Sequence, residues 1–225
     1  MEESQLTEFE DNPEPRCACV LLLDTSGSMA GTSIDQLNAG LQAFKQALSE
    51  DSLAMLRVDI AVITLGSVTA VQDFVTAALF TPPQLIAHTS SESTAGSDVP
   101  MGEAIHLALD KVEERKAIYK QNQIPYFRPW IFLFAGGHPA DSGKAWMRVS
   151  DRIHDKEALR KVTFTSLGVE DVNMARLAQL GSRQPLKLRE IKKIGAMIRW
   201  LSASLSDSTL LTPFGWGTTP DKELT

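Results

Sequence analysis

The sequence predicts an α/β fold: a doubly wound, mostly parallel central sheet with one antiparallel edge hairpin and helices on both faces. Two observations predict it. Apolar, β-branched runs of strand length alternate along the chain with segments whose apolar residues recur every three or four positions. Several runs are apolar at every position, which is typical of strands covered on both faces in a parallel sheet. Such alternation favours one sheet wrapped by helices.

The first strand is predicted over residues 17–23, ending at Asp24. A helix follows, for which Thr32 or Ser33 is the expected N-cap. Its apolar face consists of Ile34, Leu37, Leu41, Phe44 and Leu48.

Cys17 and Cys19 are the two cysteines of the chain, and both lie in the first predicted strand. Residues two apart on a strand point to the same side, and they lie too close along the chain to close a good disulfide. We therefore expect two buried thiols. A metal-binding or redox pair would need a second pair of ligands, which the sequence lacks.

The middle of the chain predicts a hairpin and then a helix. Residues 58–65 form an apolar run ended by Gly66, and residues 68–75 are expected to pair with it antiparallel through a tight turn. Residues 82–100 have the composition of a loop, and Pro100 suits the first turn of a helix. The buried stripe expected for that helix is Ile105, Ala108, Leu109 and Val112.

The last third of the domain continues the alternation. Strands are expected at 130–134, 162–169 and 186–188, and helices around Trp146 to Ile153, at 174–180 and at 191–205. No domain boundary is evident. We expect an acidic, flexible N-terminal tail at 1–15, one domain at 16–206 and a C-terminal tail at 207–225.

Composition narrows the classes of partner. The chain is 43% apolar and 22% charged, as in a soluble globular protein, and its 22 basic and 28 acidic residues give a net charge of −6. This charge disfavours binding to nucleic acid or to anionic membrane. No apolar run approaches the roughly 18 residues that span a bilayer, and the acidic start lacks a signal-type segment. A cytoplasmic location is expected.

The loop after the first strand gathers oxygen ligands. In open α/β sheets, ligands bind at the carboxyl ends of the strands, and Asp24, Ser26 and Ser28 stand there on a short loop. Carboxylate and hydroxyl oxygens suit Mg²⁺ or Mn²⁺. The alternative is that these side chains only cap the strand-to-helix turn.

The segment Asp24-Thr25-Ser26-Gly27-Ser28-Met29, preceded by Val20-Leu21-Leu22-Leu23, resembles the opening of a von Willebrand factor type A (VWA) domain. The metal-ion-dependent adhesion site (MIDAS) of that family begins with Asp-x-Ser-x-Ser. Among VWA domains the likeness is to bacterial TerY-type domains associated with tellurium resistance and stress. The resemblance implies a Rossmann-like VWA fold and a non-enzymatic role in protein interaction. The further segments that resemble the family are 33–48, 63–67, 100–105, 137–141 and 162–168.

The resemblance also implies two ligands that this sequence lacks. The family completes its site with a Thr before the Pro-Met-Gly segment and an Asp in a Thr-Asp-Gly turn, whereas Val99 and Gly136 stand at those positions. A carboxylate about 4 to 5 Å from a divalent ion is worth roughly 2 to 7 kcal/mol. We therefore expect a degenerate MIDAS that binds Mg²⁺ or Mn²⁺ weakly or not at all.

Neighbouring residues offer substitute ligands. Ser97 and Asp98 lie one or two positions from the vacant hydroxyl, although Asp98 is expected to cap the helix after Pro100. Asp141 is expected to cap the helix through Trp146.

Three functions stay open at this point. The first is a protein-interaction domain that does not depend on metal. The second is a functional MIDAS whose Mg²⁺ binds the carboxylate of an acidic partner residue at the rim. The third is a hydrolase that uses Ser26 or Ser28 with His138, although no Gly-x-Ser-x-Gly elbow surrounds either serine. No oligomeric state follows from the sequence.

Overall fold

A six-stranded sheet forms the centre of the molecule in the computed structural model, which describes residues 12, 14–66, 70–87, 101–136, 141–169 and 172–187. The strand order is β3-β2-β1-β4-β5-β6; β2 and β3 pair antiparallel and all other pairs are parallel. This confirms the predicted sheet and its edge hairpin. The strands are β1 (Cys17–Asp24), β2 (Val58–Leu65), β3 (Ala70–Thr76), β4 (Trp130–Ala135), β5 (Thr163–Gly168) and β6 (Leu186–Lys187).

Helices cover the sheet on both faces. They are α1 (Thr32–Ser49), α2 (Ser52–Arg57), α3 (Met101–Gln121), α4 (Gly143–Ala158) and α5 (Met174–Leu177), with one 3₁₀ turn at Gly27–Met29. Alternate residues of β1 contribute to two separate apolar clusters. Leu21 and Leu23 lie in the cluster that contains the apolar face of α1, whereas Val20 and Leu22 lie in the cluster that contains α3 and α4. This two-sided burial explains why β1 is apolar at every position before Asp24.

The two cysteines are buried, as predicted. Cys17 and Cys19 are fully buried free thiols on the α1 side of β1. Burial raises the pKa of both thiols, which keeps them protonated and unreactive.

Two helix caps differ from expectation. Gly31, with φ of 82°, is the N-cap of α1, and it makes no side-chain cap; the expectation of Thr32 or Ser33 was wrong because the helix already includes both. Ser142 caps α4 by accepting from the Ala145 N–H. The prediction that Asp141 caps that helix was therefore also wrong.

A buried ionic cluster lies at the opposite end of the sheet from the Asp24 loop. Asp59, the second residue of β2, is fully buried and accepts from Arg115 Nη2 at 2.8 Å and from the Tyr119 hydroxyl at 2.5 Å. Arg16 Nη1 lies 3.4 Å from the other oxygen of Asp59. Sequence reasoning did not assign this cluster.

Several predicted features lie outside the described residues: the N-terminal tail up to residue 11, the helix at 191–205, the tail at 207–225 and the beginning of α3 around Pro100. Within the described part, no helix combines the length and the apolar character needed to cross a membrane.

Candidate functional site

Asp24 and Gly136 meet at the carboxyl edge of the sheet. Strands β1 and β4 are parallel neighbours with Leu23 opposite Phe134, so the residues that follow them come out side by side. The Gly136 N–H donates to Asp24 Oδ2 at 2.9 Å. This bond joins the first loop directly to the end of β4. The resemblance to VWA domains assigns both positions to one site.

The carboxylate of Asp24 is buried and held by main-chain donors. Its side chain is fully buried, and its Oδ1 accepts from the Ser26 N–H at 2.9 Å. With Gly136 on the other oxygen, each carboxylate oxygen accepts a backbone hydrogen bond. Hydrogen bonds to an ionised acceptor are among the stronger ones in proteins. Asp24 thus joins the first loop to the end of β4.

The two serines of the loop bond to each other. Ser26 Oγ and Ser28 Oγ are 2.8 Å apart. Ser26 is buried and Ser28 is exposed, so of these two hydroxyls Ser28 is the one that faces solvent.

Thr25 anchors the same loop to β2, a role that sequence reasoning did not assign. Its N–H and its hydroxyl both donate to the Leu65 carbonyl, at 2.7 and 3.1 Å. A Cβ at Gly66 would lie 3.0 Å from Thr25 Oγ1. The loop is therefore fastened to both strands that flank β1.

Met29 fills the space beside Gly136. A Cβ placed on Gly136 would lie 2.1 Å from Met29 Sδ, and Met29 is fully buried. Position 136 therefore supplies a main-chain N–H to the site and packs against a thioether, where the resemblance would place a carboxylate.

Among the described residues, the first loop supplies three oxygen-bearing side chains towards a divalent-cation site. Mg²⁺ takes about six oxygens in near-octahedral geometry, and Asp24, Ser26 and Ser28 offer one carboxylate and two hydroxyls towards that number. Across the described ranges, no group of three or more His, Cys, Asp or Glu residues could hold a metal ion. The substitute ligands Ser97 and Asp98, and Val99, lie outside these ranges.

The residues of the hydrolase hypothesis are only partly described. His138 lies outside the described residues. Two other histidines occupy different surroundings: Nδ1 of His106 is 2.9 Å from Arg152 Nη1, and Nδ1 of His154 is 3.3 Å from Ser150 Oγ.

Asp141 binds the first turn of α3 and does not cap α4, the helix that follows it in the chain. Both of its carboxylate oxygens accept from the Gly102 N–H, each at 3.2 Å. A carboxylate at the first turn of a helix satisfies an otherwise unpaired N–H and complements the helix dipole. Asp141 therefore connects the segment after β4 to the start of α3 at the edge of the sheet that carries Asp24.

The sheet order, the flanking helices and the Asp-x-Ser-x-Ser loop at the carboxyl edge together define an α/β domain of the VWA fold. Compared with family models and with curated protein sequences, the chain gives no match. Solved structures do match. Proximal thread matrix protein 1 from the mussel byssus, with a zinc-occupied MIDAS motif, aligns at a TM-score of 0.54 and 11% identity over 87% of this chain and 49% of its own.

Two further structures agree. The ArnB paralog VWA2 from Sulfolobus acidocaldarius aligns at a TM-score of 0.50 and 17% identity, covering 83% of this chain and 45% of its own. The manganese-loaded TRAP protein of Plasmodium vivax aligns at 0.55 and 16%, covering 81% and 72%. The chain spans about half the length of the mussel and Sulfolobus proteins. At these identities the likeness shows the fold.

Proposed function

We propose that this chain is a non-enzymatic protein-interaction domain that binds its partner at the rim around Asp24 without depending on a divalent metal. The observation that carries the proposal is the pairing of Asp24 with two main-chain N–H groups, one from Ser26 and one from Gly136. These bonds supply the buried carboxylate with the stabilisation that a cation would otherwise provide. The described part of the rim consists of the loop after β1 together with Gly66 and Gly136.

Titration calorimetry with Mg²⁺ and Mn²⁺ tests metal independence. We expect millimolar affinity or none, because the first loop offers only one carboxylate. Capture of partners on the immobilised chain should give the same proteins with Mg²⁺ and with a chelator. Micromolar Mg²⁺ binding together with partner loss in chelator would instead support a Mg²⁺-dependent MIDAS that binds a partner carboxylate, as the zinc- and manganese-loaded structures suggest.

A gain-of-function variant tests the placement of the site. Val99→Thr with Gly136→Asp restores the two ligand types that the family uses, and the double variant should acquire Mg²⁺ affinity. Each single variant is the matched control, since each leaves one ligand missing. A double variant that folds but still ignores Mg²⁺ would contradict the assignment of these two positions.

The absence of enzymatic activity is part of the proposal. Ser26 hydrogen-bonds to Ser28 in the described structure, and an activated serine needs a base in that place. A fluorophosphonate probe should leave both serines unlabelled, and labelling of either one would revive the hydrolase hypothesis with His138.

The resemblance to TerY-type domains supports a bacterial tellurium-resistance or stress-response context in the cytoplasm. Growth of the source cell on tellurite, with and without the gene, tests that context. Unchanged tellurite tolerance would remove it and leave the interaction role in place.

A further inference from the structure

Arg152 of α4 binds α3 through two residues that lie one helical turn apart. Its Nη1 is 2.9 Å from Nδ1 of His106 and 3.3 Å from the main-chain oxygen of His106. Its Nη2 donates to the carboxylate of Asp110, four residues further along α3. Residues four apart are neighbours on the surface of a helix, so one guanidinium connects both of them to α4.

The contact with Arg152 determines which nitrogen of His106 carries the proton. A guanidinium has N–H donors and no acceptor, so Nδ1 of His106 accepts from Arg152 with its lone pair. The neutral ring therefore carries its single proton on Nε2. A second proton, on Nδ1, would point at the N–H of Arg152 and place two positive charges side by side. The hydrogen bond between Arg152 and the ring thus exists only while His106 is neutral.

His106 lies close to the end of α3 that begins at the carboxyl edge of the sheet. It stands one turn after Gly102, whose N–H donates to Asp141, and four residues of helix correspond to about 6 Å along the axis. Further along α3, Glu113 accepts from Lys156 of α4. Among these polar contacts between α3 and the segment 141–158, His106 is the histidine, the side chain that titrates nearest to neutral pH.

The surroundings of His106 favour its neutral form. Partial burial lowers the pKa of His106 from its ordinary value of 6.5, and the positive charge of Arg152 lowers it further. Asp110 and Asp141 raise this pKa and Arg148 lowers it, each with a smaller effect than Arg152. The charged residues that act on His106 thus come from α3 itself (Asp110), from α4 (Arg148 and Arg152) and from the segment before α4 (Asp141).

We propose that His106 is a pH-sensitive contact between α3 and α4. Neutral His106 accepts from Arg152 and holds the two helices together, whereas protonation of His106 withdraws the acceptor, repels the guanidinium and weakens the contact. Arg152 keeps Asp110 as a partner in both states, so acidification loosens the contact without abolishing it. The inference goes beyond the proposed function and does not depend on it.

The direction of the pH effect follows from the lowered pKa. A histidine whose pKa is lowered in the folded state binds protons more readily in the unfolded state. The contribution of His106 to the free energy of unfolding is therefore fully present above pH 6.5 and is lost as the pH falls below that value. The pKa of Glu113, which is lowered from 4.5 to about 2, lies outside this window.

Nuclear magnetic resonance of the histidine rings in the full chain, from about pH 8 to about pH 5, tests the protonation step. We expect a midpoint for His106 below 6.5 and, in its neutral form, the proton on Nε2. Arg152→Gln removes the adjacent positive charge and should raise the midpoint, whereas Asp110→Asn removes the opposing charge and should lower it. Arg148→Gln is the matched control on α4 and should raise the midpoint less than Arg152→Gln.

Urea unfolding tests whether protonation weakens the contact. His106→Asn keeps an acceptor near the position of Nδ1 but does not titrate. The unfolding equilibrium constant of the wild type, divided by that of His106→Asn, should rise about twofold or more between about pH 8 and about pH 5. In the Arg152→Gln background the same ratio should change less, because the charge that opposes protonation is gone.

A midpoint for His106 at or above 6.5 would overturn the proposal, and so would a midpoint that Arg152→Gln leaves unchanged. Both results are available even if His106→Asn fails to fold. A ratio of unfolding constants that stays constant from about pH 8 to about pH 5 would also overturn it, because a purely structural role of His106 does not vary with protonation.

Discussion

The main-chain N–H of Gly136 donates to Oδ2 of Asp24 at 2.9 Å, and this bond joins the ends of β1 and β4. Asp24 is fully buried, so a donor that lost this acceptor would not be compensated by water. The position at which the resemblance places a metal ligand therefore acts on Asp24 through its backbone.

Asp24→Asn tests that bond. An amide offers one acceptor oxygen, so its NH₂ group would face one of the two N–H donors that Asp24 now accepts. We expect a loss of about 1 to 3 kcal/mol in the free energy of unfolding, because a buried donor is left unpaired. Urea unfolding measures it, and the loss should be equal with Mg²⁺ and with chelator.

Asp151→Asn on the exposed surface of α4 is the matched control for Asp24→Asn, with an expected change within about 0.5 kcal/mol. If Mg²⁺ stabilised the wild type but not Asp24→Asn, this difference would contradict the proposed metal independence.

Gly136→Ala tests the contact with Met29. The added Cβ would start 2.1 Å from Met29 Sδ, and the buried Met29 must move, at a cost of about 1 to 3 kcal/mol. Gly143→Ala is the control, because nothing lies within 4 Å of a Cβ there. It should be neutral or stabilising, since alanine favours a helix.

A double-mutant cycle isolates the coupling between Met29 and Gly136. Met29→Ala alone should cost about 2 to 5 kcal/mol through the cavity that it leaves. With Gly136→Ala added, the total should fall below the sum of the two costs by about 0.5 to 3 kcal/mol. Strict additivity in thermal or urea unfolding would show that the two residues do not compete for the same space.

The sequence predicted the parts of the fold that depend on local patterns. The continuous apolar run before Asp24 predicted β1, and the spacing of Ile34 to Leu48 predicted α1. The sequence did not predict the contacts between segments that are far apart in the chain. Asp141 serves the helix that begins 40 residues earlier, and no local pattern distinguishes that role from capping the next helix.

Position 136 illustrates the same limit at the candidate site. The resemblance led us to expect a carboxylate at the position that Gly136 occupies, but the sequence did not show that Met29 fills the space or that the Gly136 N–H binds Asp24. Both facts depend on the geometry of three segments after folding. The buried Asp59 cluster was missed because a single Asp inside an apolar run gives no sign of its partners.

Helix α3 pairs with two acidic residues of the sheet, and we expect their removal to affect the free energy of unfolding very differently. Arg115 binds Asp59 of β2, which is fully buried, whereas Lys111 binds Asp73 of β3, which is 79% exposed. Asp59→Asn should cost about 3 to 5 kcal/mol, because it leaves a buried guanidinium without its counter-charge. Asp73→Asn should cost about 1 kcal/mol or less.

Urea unfolding of Asp59→Asn and Asp73→Asn, measured side by side, checks this contrast. Comparable losses in the two variants would mean that the Asp59 cluster is solvated in solution, contrary to the burial described above.

Glu113 contributes to the free energy of unfolding, and we expect this contribution to be lost at acid pH. Its Oε1 lies 2.6 Å from Lys156 Nζ and its Oε2 lies 2.9 Å from Lys116 Nζ. Partial burial raises the pKa of Glu113, but the hydrogen bonds and charges of the two lysines outweigh that effect and lower the pKa from 4.5 to about 2. Burial of Lys116 lowers the pKa of that ammonium and partly opposes the pairing.

A carboxyl whose pKa is lowered in the folded state binds protons more readily in the unfolded state. The stabilisation by Glu113 is therefore fully present above pH 4.5 and is lost as the pH falls towards about 2. Glu113 is 39% exposed, so solvent screening reduces the effect to about 1 kcal/mol or less. The wild type should exceed Glu113→Gln in unfolding free energy at about pH 6, and the difference should shrink by about pH 3.

Glu114→Gln provides the matched control for this pH dependence, because Glu114 is 62% exposed and lies 3.2 Å from Lys111. Its difference from the wild type should stay near zero across the same range, since exposed pairs contribute little. A difference between the wild type and Glu113→Gln that is unchanged from about pH 6 to pH 3 would mean that the two lysines do not hold the carboxylate in solution.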